Sequence, residues 1–284
     1  MLKKYYHLTK PGIIRGNLLN ATAGFLLASR YHIDLWLLVA ILVGTSLVVA
    51  SGCVFNNYLD REIDKKMART KKRALVLHTI SVRSALVFAA VLGVLGFAVL
   101  ALWTNWLVVL IGLVGYLDYI VLYGYTKRHS VHGTLVGAVS GATPALAGYC
   151  AVIGRIDSAA IIIFLLYSAW QMAHFYAIAM YRYDDYKRAG IPVMPVARGM
   201  LPAKVQTLFY IAIFTAIASL LTAYHYTGYI YLVVMIGVGL AWFVRGVQLF
   251  NGKDDKLWGK KMFLFSLIVV LVMAVMLALG ARLP

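Results

Sequence analysis

The chain has 284 residues, of which 62% are hydrophobic and 13% charged, and its net charge is +17. A soluble domain of this length needs far less apolar material, so a water-soluble globular class is set aside. The bases sit between apolar blocks and do not interleave with aromatics on a polar face, which argues for membrane topology and against nucleic-acid binding.

A membrane-spanning helix needs about 20 predominantly apolar residues. In chain order nine blocks reach that length: 12–30, 34–55, 84–103, 105–124, 133–153, 158–181, 204–223, 228–249 and 261–281. Inside lipid every backbone polar group must be satisfied, and blocks of this length and continuity suit helices, not a barrel. We therefore expect an all-α integral membrane protein with nine transmembrane helices in a single domain, 1–284. The first block contains Asn17 and Asn20, and no clean cleavage site follows it, so it reads as a retained span and not a signal peptide. Cys53 and Cys150 lie inside apolar blocks and read as small buried hydrophobes.

The bases set the orientation. With a cytoplasmic N-terminus, 24 of the Lys and Arg residues fall on the cytoplasmic side and only Arg30, Arg155 and Arg282 on the other. That asymmetry follows the positive-inside rule and places the C-terminus outside. Two cytoplasmic loops are long, 56–83 and 182–203, and they carry the acids. They follow the second and sixth spans, which suggests two similar four-helix halves and a ninth helix.

The first long loop opens with NNYLDREIDKK. If the second span continues as a helix, Asn56, Asp60 and Asp64 fall at i, i+4 and i+8 and share one face. Two carboxylates and an amide oxygen suit a hard divalent cation such as Mg²⁺, which completes its shell with water and phosphate oxygens. Spacing alone equally allows these acids to balance the neighbouring bases. Arg61, Lys65 and Arg69 read as a stripe in contact with lipid headgroups. Arg69 and Arg73 reach a diphosphate only if the helix has ended and the loop folds back.

The sixth span reads WQMAHFYAIAMYRYDDYKRAGIP. On one helix Gln171, His174, Ile178, Arg182 and Asp185 share a face, leading from the bilayer interior to Asp184 and Asp185. A polar stripe inside a span is costly unless it lines a cavity. His174 alone fits a hydrogen-bonded core histidine or a haem ligand. Gly190, Pro192 and Pro195 break the helix afterwards. Two acid-bearing helix ends above an apolar interior outline a site for a metal-bound prenyl diphosphate.

These two segments resemble the aspartate motifs of the intramembrane prenyltransferases, the UbiA superfamily. The first motif of that family, Asn-x-x-x-Asp-x-x-x-Asp, is matched by Asn56, Asp60 and Asp64. LTKPGIIRGN, SGCVFNNYLDREIDKKMART, TKRHSVHGTLVGAVSGATPALAGYC and WQMAHFYAIAMYRYDDYKRAGIPVMPV extend the resemblance along almost the whole chain, toward the branch that farnesylates haem. The resemblance implies a central cavity opening to the cytoplasmic side of a bacterial inner membrane. It implies farnesyl diphosphate and haem b as substrates, haem O as product, and a haem A synthase or haem-copper terminal oxidase downstream. It also implies Mg²⁺ held by Asp60 and Asp64, helped by Asn56 and Asp185. Tyr181 stands where relatives often carry the first aspartate of the second motif, with Asp184 as a candidate substitute.

The remaining candidates have two readings each. Arg15 fits a haem propionate or diphosphate contact, or an interfacial arginine reaching headgroups. Lys127 and Arg128 fit phosphate binding or simple positive-inside placement. His129 and His132 fit haem contacts or satisfied interfacial histidines. Gly133, Gly137 and Gly141, four apart, read as a tight helix-packing face. Pro144 is expected to kink its helix, and the intramembrane Asp118 to pair with a base or hydroxyl. Two rival functions remain: a sibling enzyme prenylating an aromatic acid or quinone precursor, and a membrane haem-binding protein without chemistry.

Overall fold

The computed structural model describes residues 2–30 and 32–281. Among these residues every regular element is helical. The helices are α1 (Leu2–Leu8), α2 (Pro11–Ser29), α3 (Leu35–Leu59), α4 (Arg61–Asp64), α5 (Val82–Trp103), α6 (Trp106–Leu117) and α7 (Tyr123–His129). They continue as α8 (Gly133–Ile153), α9 (Ser158–Tyr181), α10 (Tyr183–Ala189), α11 (Met194–Ala197), α12 (Met200–Ala223), α13 (Tyr229–Gln248) and α14 (Asp255–Gly280). A π-helical turn, Asp118–Leu122, joins α6 and α7 into one rod.

Eight of these are long and apolar enough to cross a membrane: α3, α5, the α6–α7 rod, α8, α9, α12, α13 and α14. The first expected span is the helix α2 but is not among the eight, because Arg15, Asn17 and Asn20 lower its mean hydropathy. Several helices start where a short polar side chain can take a free backbone N–H. Asp34, Ser81, Asn105, Asp157 and Asp254 accept from the N–H three residues on, at 3.0–3.1 Å, and so open α3, α5, α6, α9 and α14.

The two halves pack alike. Helix α3 lies against α2 and α5, and α9 lies against α8 and α12. At the centre α2 crosses α8 with no room for a side chain. A Cβ on Gly24 would stand 2.0 Å from the Ala145 carbonyl oxygen, and one on Gly148 would stand 2.0 Å from that of Ala21. Between helices in lipid, such backbone approach replaces the missing hydrophobic drive. The glycines at 137 and 141 make room for side chains instead, the Tyr123 ring and the Gln171 amide.

Polar contacts gather the helix ends at two levels. At one end lie Lys10 with Asn56, Lys127 with Asp60, Ala68 with Asp185, and Lys256 with Asp184. At the other lie Asn105 with the Cys150 carbonyl, Ser158 with Tyr226, and Gly228 with Gly280. Of the bases assigned to the far side by sequence, Arg282 lies outside the described residues.

Helix α8 runs unbroken through Pro144, and the Thr143 hydroxyl donates to the Ser140 carbonyl at 2.7 Å. Asp118 begins the π-helical turn and accepts the Ser140 N–H at 3.1 Å, with the hydroxyl of the same serine beside it, so it meets Ser140 and not a base. Cys53 and Cys150 are buried free thiols.

Candidate active site

A cavity of about 900 Å³ opens between the helices, near the upper end of ligand-site volumes. Its floor is apolar and aromatic, with Val48, Leu100, Val108, Trp170, Phe263 and Val270 on the wall. Its head is charged. Lys10, Arg69, Arg73, Lys127 and Arg182 line it with Asp60 and Asp64, five cations against two carboxylates. The surplus of three positive charges favours an anionic head group bound above an apolar tail.

The α3 residues reach this head because the helical phase survives the end of the helix. Regular α3 stops at Leu59, but Asp60 N–H still donates to Asn56 O at 2.9 Å, and Asp64 N–H to Asp60 O at 2.8 Å. Asn56, Asp60 and Asp64 therefore all line the cavity, as their spacing predicts. The chain then turns back through short bends, which brings Arg69 and Arg73 to the same wall.

Each oxygen donor meets a cation. Lys10 Nζ donates to Asn56 Oδ1 at 2.7 Å. Asp60 receives Lys127 Nζ at 2.6 Å on one oxygen and Arg128 at 3.0 Å on the other. Asp64 receives Arg73 at 2.6 Å. Burial opposes ionisation of Asp60, but the Lys127 ammonium and the Arg128 guanidinium outweigh it and hold the carboxyl below its usual range. The donor set is all oxygen, which fits a hard cation such as Mg²⁺. The described residues contain no cluster of three His, Cys, Asp or Glu side chains that could hold a metal ion. Such a cluster is not required of an ion that takes one or two carboxylates and fills its shell with water and phosphate oxygens.

The second motif behaves differently. Gln171, His174, Ile178 and Arg182 share the cavity face as expected. The phase then breaks. Helix α9 ends at Tyr181, Arg182 has non-helical dihedrals, and Asp185 N–H bonds to Arg182 O, three residues back. Asp185 consequently leaves the cavity wall. Its carboxylate accepts the Ala68 N–H at 3.0 Å and the Arg188 guanidinium. Burial raises its affinity for a proton, and these two donors reverse that, leaving its pKa lowered. Asp184 points to the surface, paired with Lys256 at 2.7 Å.

Other candidates separate as well. Arg128 stands behind Asp60 and does not line the cavity, holding Asp60 and the Leu59 carbonyl. Arg15 is exposed, as an interfacial arginine would be, and it does not line the cavity. His129 stacks on Tyr125 at 4.3 Å, and His132 is exposed; neither lines the cavity.

Lys10 is not among the site candidates that the sequence singles out. Lys10 adopts φ +53°, a left-handed conformation that costs a non-glycine residue about 1–3 kcal/mol. Pro11 follows, and proline disfavours the α region in the residue before it. Tyr119 and Tyr123 were also passed over. With Lys127 they stand at i, i+4 and i+8, the same arithmetic as Asn56, Asp60 and Asp64, and all three line the cavity. The two rings stack at 5.9 Å, and Lys127 Nζ lies 5.1 Å from the Tyr123 ring centre.

Residues 17–268 match the UbiA prenyltransferase family. The chain belongs to the UbiA prenyltransferase family. It is 47% identical over 285 residues to the protoheme IX farnesyltransferase of Klebsiella pneumoniae, covering 100% of this chain and 97% of that one. It is 45% identical over 275 residues to the protoheme IX farnesyltransferase of Acinetobacter baylyi, covering 96% and 94%. Among solved structures, a digeranylgeranylglyceryl phosphate synthase superposes with a TM-score of 0.82 at 21% identity, over 99% of this chain and 98% of that chain. A UbiA homologue from Archaeoglobus fulgidus bound to DMAPP and Mg²⁺ superposes with a TM-score of 0.76 at 18% identity, over 97% and 99%. At these identities the solved structures establish the UbiA fold.

Proposed function

We propose that this UbiA family member transfers the farnesyl group of farnesyl diphosphate to a vinyl group of haem b, with addition of water, to give haem O. The observation that carries the chemistry is the cavity itself, a head with surplus positive charge above an apolar floor. Full-length identity of 45–47% to protoheme IX farnesyltransferases supports haem as the acceptor.

Lys10, Arg69, Arg73, Lys127 and Arg182 bind the diphosphate oxygens. Asn56, Asp60 and Asp64 would hold Mg²⁺, whose chemistry is to neutralise charge on the leaving diphosphate. When the diphosphate arrives, Lys127 and Arg73 can turn from the carboxylates toward it, and the carboxylates are left for the metal. The allylic C–O bond breaks with its electron pair going to the diphosphate, where the fixed cations oppose the developing charge. The apolar wall keeps water away from the farnesyl cation, which would otherwise become farnesol. The terminal vinyl carbon of haem forms the new C–C bond. Water then adds at the inner vinyl carbon and loses a proton, leaving a hydroxyl. Asp185 keeps the 65–73 loop folded over the head.

The same reading gives nine passes, with α2 as the first, in a bacterial inner membrane. The N-terminus and the charged mouth face the cytoplasm and the C-terminus the periplasm. Haem O would pass to a haem A synthase or a haem-copper terminal oxidase. Membranes carrying the chain, incubated with haem b, farnesyl diphosphate and Mg²⁺, are expected to yield haem O by mass spectrometry. Turnover of 4-hydroxybenzoate with no haem O would move the chain to the aromatic-acid branch.

A further inference from the structure

One side chain in the cavity is organised beyond what farnesyl transfer to an unspecified acceptor needs. His174 lies on α9, two turns below Arg182, which at 1.5 Å per residue is about 12 Å deeper than the charged head. Its Nδ1 stands 2.7 Å from the Ser266 hydroxyl of α14. That hydroxyl also donates to the Phe263 carbonyl at 2.6 Å. A carbonyl can only accept, and a hydroxyl has one proton, so the contact with His174 is Nδ1–H donating to Ser266 Oγ. In the neutral ring this leaves the Nε2 lone pair, and Nε2 makes no hydrogen bond among the described residues, on a side chain that lines the cavity.

The ring is also held in plane. It stacks on Trp170 at 4.9 Å and 24°, and packs against Phe263 at 5.1 Å. Trp170 is itself fixed, because its Nε1–H donates to the Ser266 carbonyl at 2.9 Å. Ser266 thus anchors both rings, one through its hydroxyl and one through its carbonyl. An imidazole whose Nδ1–H is engaged, whose plane is locked and whose Nε2 lone pair is left without a partner on a cavity-lining side chain has the arrangement of a metal ligand with its outer-shell partner.

We propose that His174 Nε2 is an axial ligand to the iron of the haem substrate, and that Ser266 sets its tautomer and orientation. The proposal rests on the reading of haem b as acceptor. Coordination below the head fixes the macrocycle's depth, so that a vinyl edge is presented upward to the farnesyl carbon next to the diphosphate.

The test is spectroscopic. Purified full-length protein in detergent is titrated with ferric haem b, then reduced with dithionite and exposed to carbon monoxide. The wild type is expected to give imidazole-ligated spectra in both states. His174→Ala is expected to lose that signature and to bind haem about tenfold or more weakly, while still binding farnesyl diphosphate. His174→Gly is expected to regain the signature when free imidazole is added. Ser266→Ala is expected to weaken haem binding about tenfold. Wild-type spectrum and affinity in His174→Ala would overturn the proposal; should that variant not accumulate, the same result in Ser266→Ala overturns it. A wild type that makes haem O while His174→Ala keeps its spectrum removes only the axial ligand. A wild type that neither binds nor farnesylates haem removes the acceptor reading with it.

Discussion

The Asp185 carboxylate accepts the Ala68 N–H at 3.0 Å, joining two segments 117 residues apart. This bond holds the loop that carries Arg69 and Arg73 against the cavity. Asparagine keeps an acceptor oxygen at that place and alanine does not. Asp185→Asn is therefore expected to retain activity within a few-fold. Asp185→Ala should raise KM for farnesyl diphosphate about tenfold, in line with about 1.5 kcal/mol for a hydrogen bond to a charged group. Were Asp185 a direct metal ligand, the two variants would fall together and both would need more Mg²⁺. Steady-state kinetics across a Mg²⁺ series separates these outcomes.

Asp60 and Asp64 stand on the cavity wall, where the proposed diphosphate-bound metal would meet them. Asp60→Asn or Asp64→Asn should lower turnover by about 10²–10³-fold, the usual loss when one electrostatic stabiliser is removed. Each variant should still insert in the membrane and bind haem. Full haem O formation by either at ordinary Mg²⁺ would exclude the assigned role.

How far the sequence foretold the site depended on helical phase. Asn56, Asp60 and Asp64 were legible because i→i−4 bonding continues past Leu59 and keeps all three on one face. The stripe from Gln171 to Arg182 was legible for the same reason. Asp185 was not, because one non-helical residue at Arg182 rotates everything after it. No local pattern marks such a break, and the group that Asp185 then meets, the Ala68 N–H, lies 117 residues away in the chain. Lys10 was hidden for a related reason: its ammonium reaches Asn56 only through the fold. The α2–α8 crossing was hidden because Gly24 and Gly148 lie in separate spans, and the sequence does not say which spans meet.

Lys10 gives the head a pH dependence. Burial of its ammonium lowers its pKa to about 8, with neighbouring Arg73 and Lys127 acting in the same direction. It is a cation below that pH and neutral above it, so binding of diphosphate should weaken as pH rises through about 8. kcat/KM for farnesyl diphosphate, which reports the free enzyme, should show a falling limb there. Lys10→Arg should flatten that limb, because a guanidinium stays charged throughout. Stability runs the opposite way. Between about 8 and the ordinary lysine value of 10.5 the folded state binds fewer protons than the unfolded, so Lys10's contribution to folding stability rises with pH. A kcat/KM profile that is the same for Lys10→Arg as for the wild type would remove Lys10 from the head.

The crossing of α2 and α8 is set by two reciprocal glycines. A Cβ at either would lie 2.0 Å from a carbonyl oxygen of the facing helix, and backbone cannot move aside as a side chain tip can. Gly24→Ala and Gly148→Ala should each cost at least about 1–3 kcal/mol, the usual penalty for overpacking, and lower the unfolding temperature in detergent. Because α2 carries Lys10 just before its first turn and α8 follows Lys127, a forced separation should also weaken farnesyl diphosphate binding. Gly237 supplies the contrast, for it is a helical glycine of α13 with nothing within 4 Å of an added Cβ. Gly237→Ala should be neutral or stabilising by up to about 1 kcal/mol, from helix propensity alone. Thermal unfolding of the three variants, with diphosphate binding measured beside it, checks both halves of the prediction. Equal stability across all three would mean that the central crossing is looser than this geometry requires.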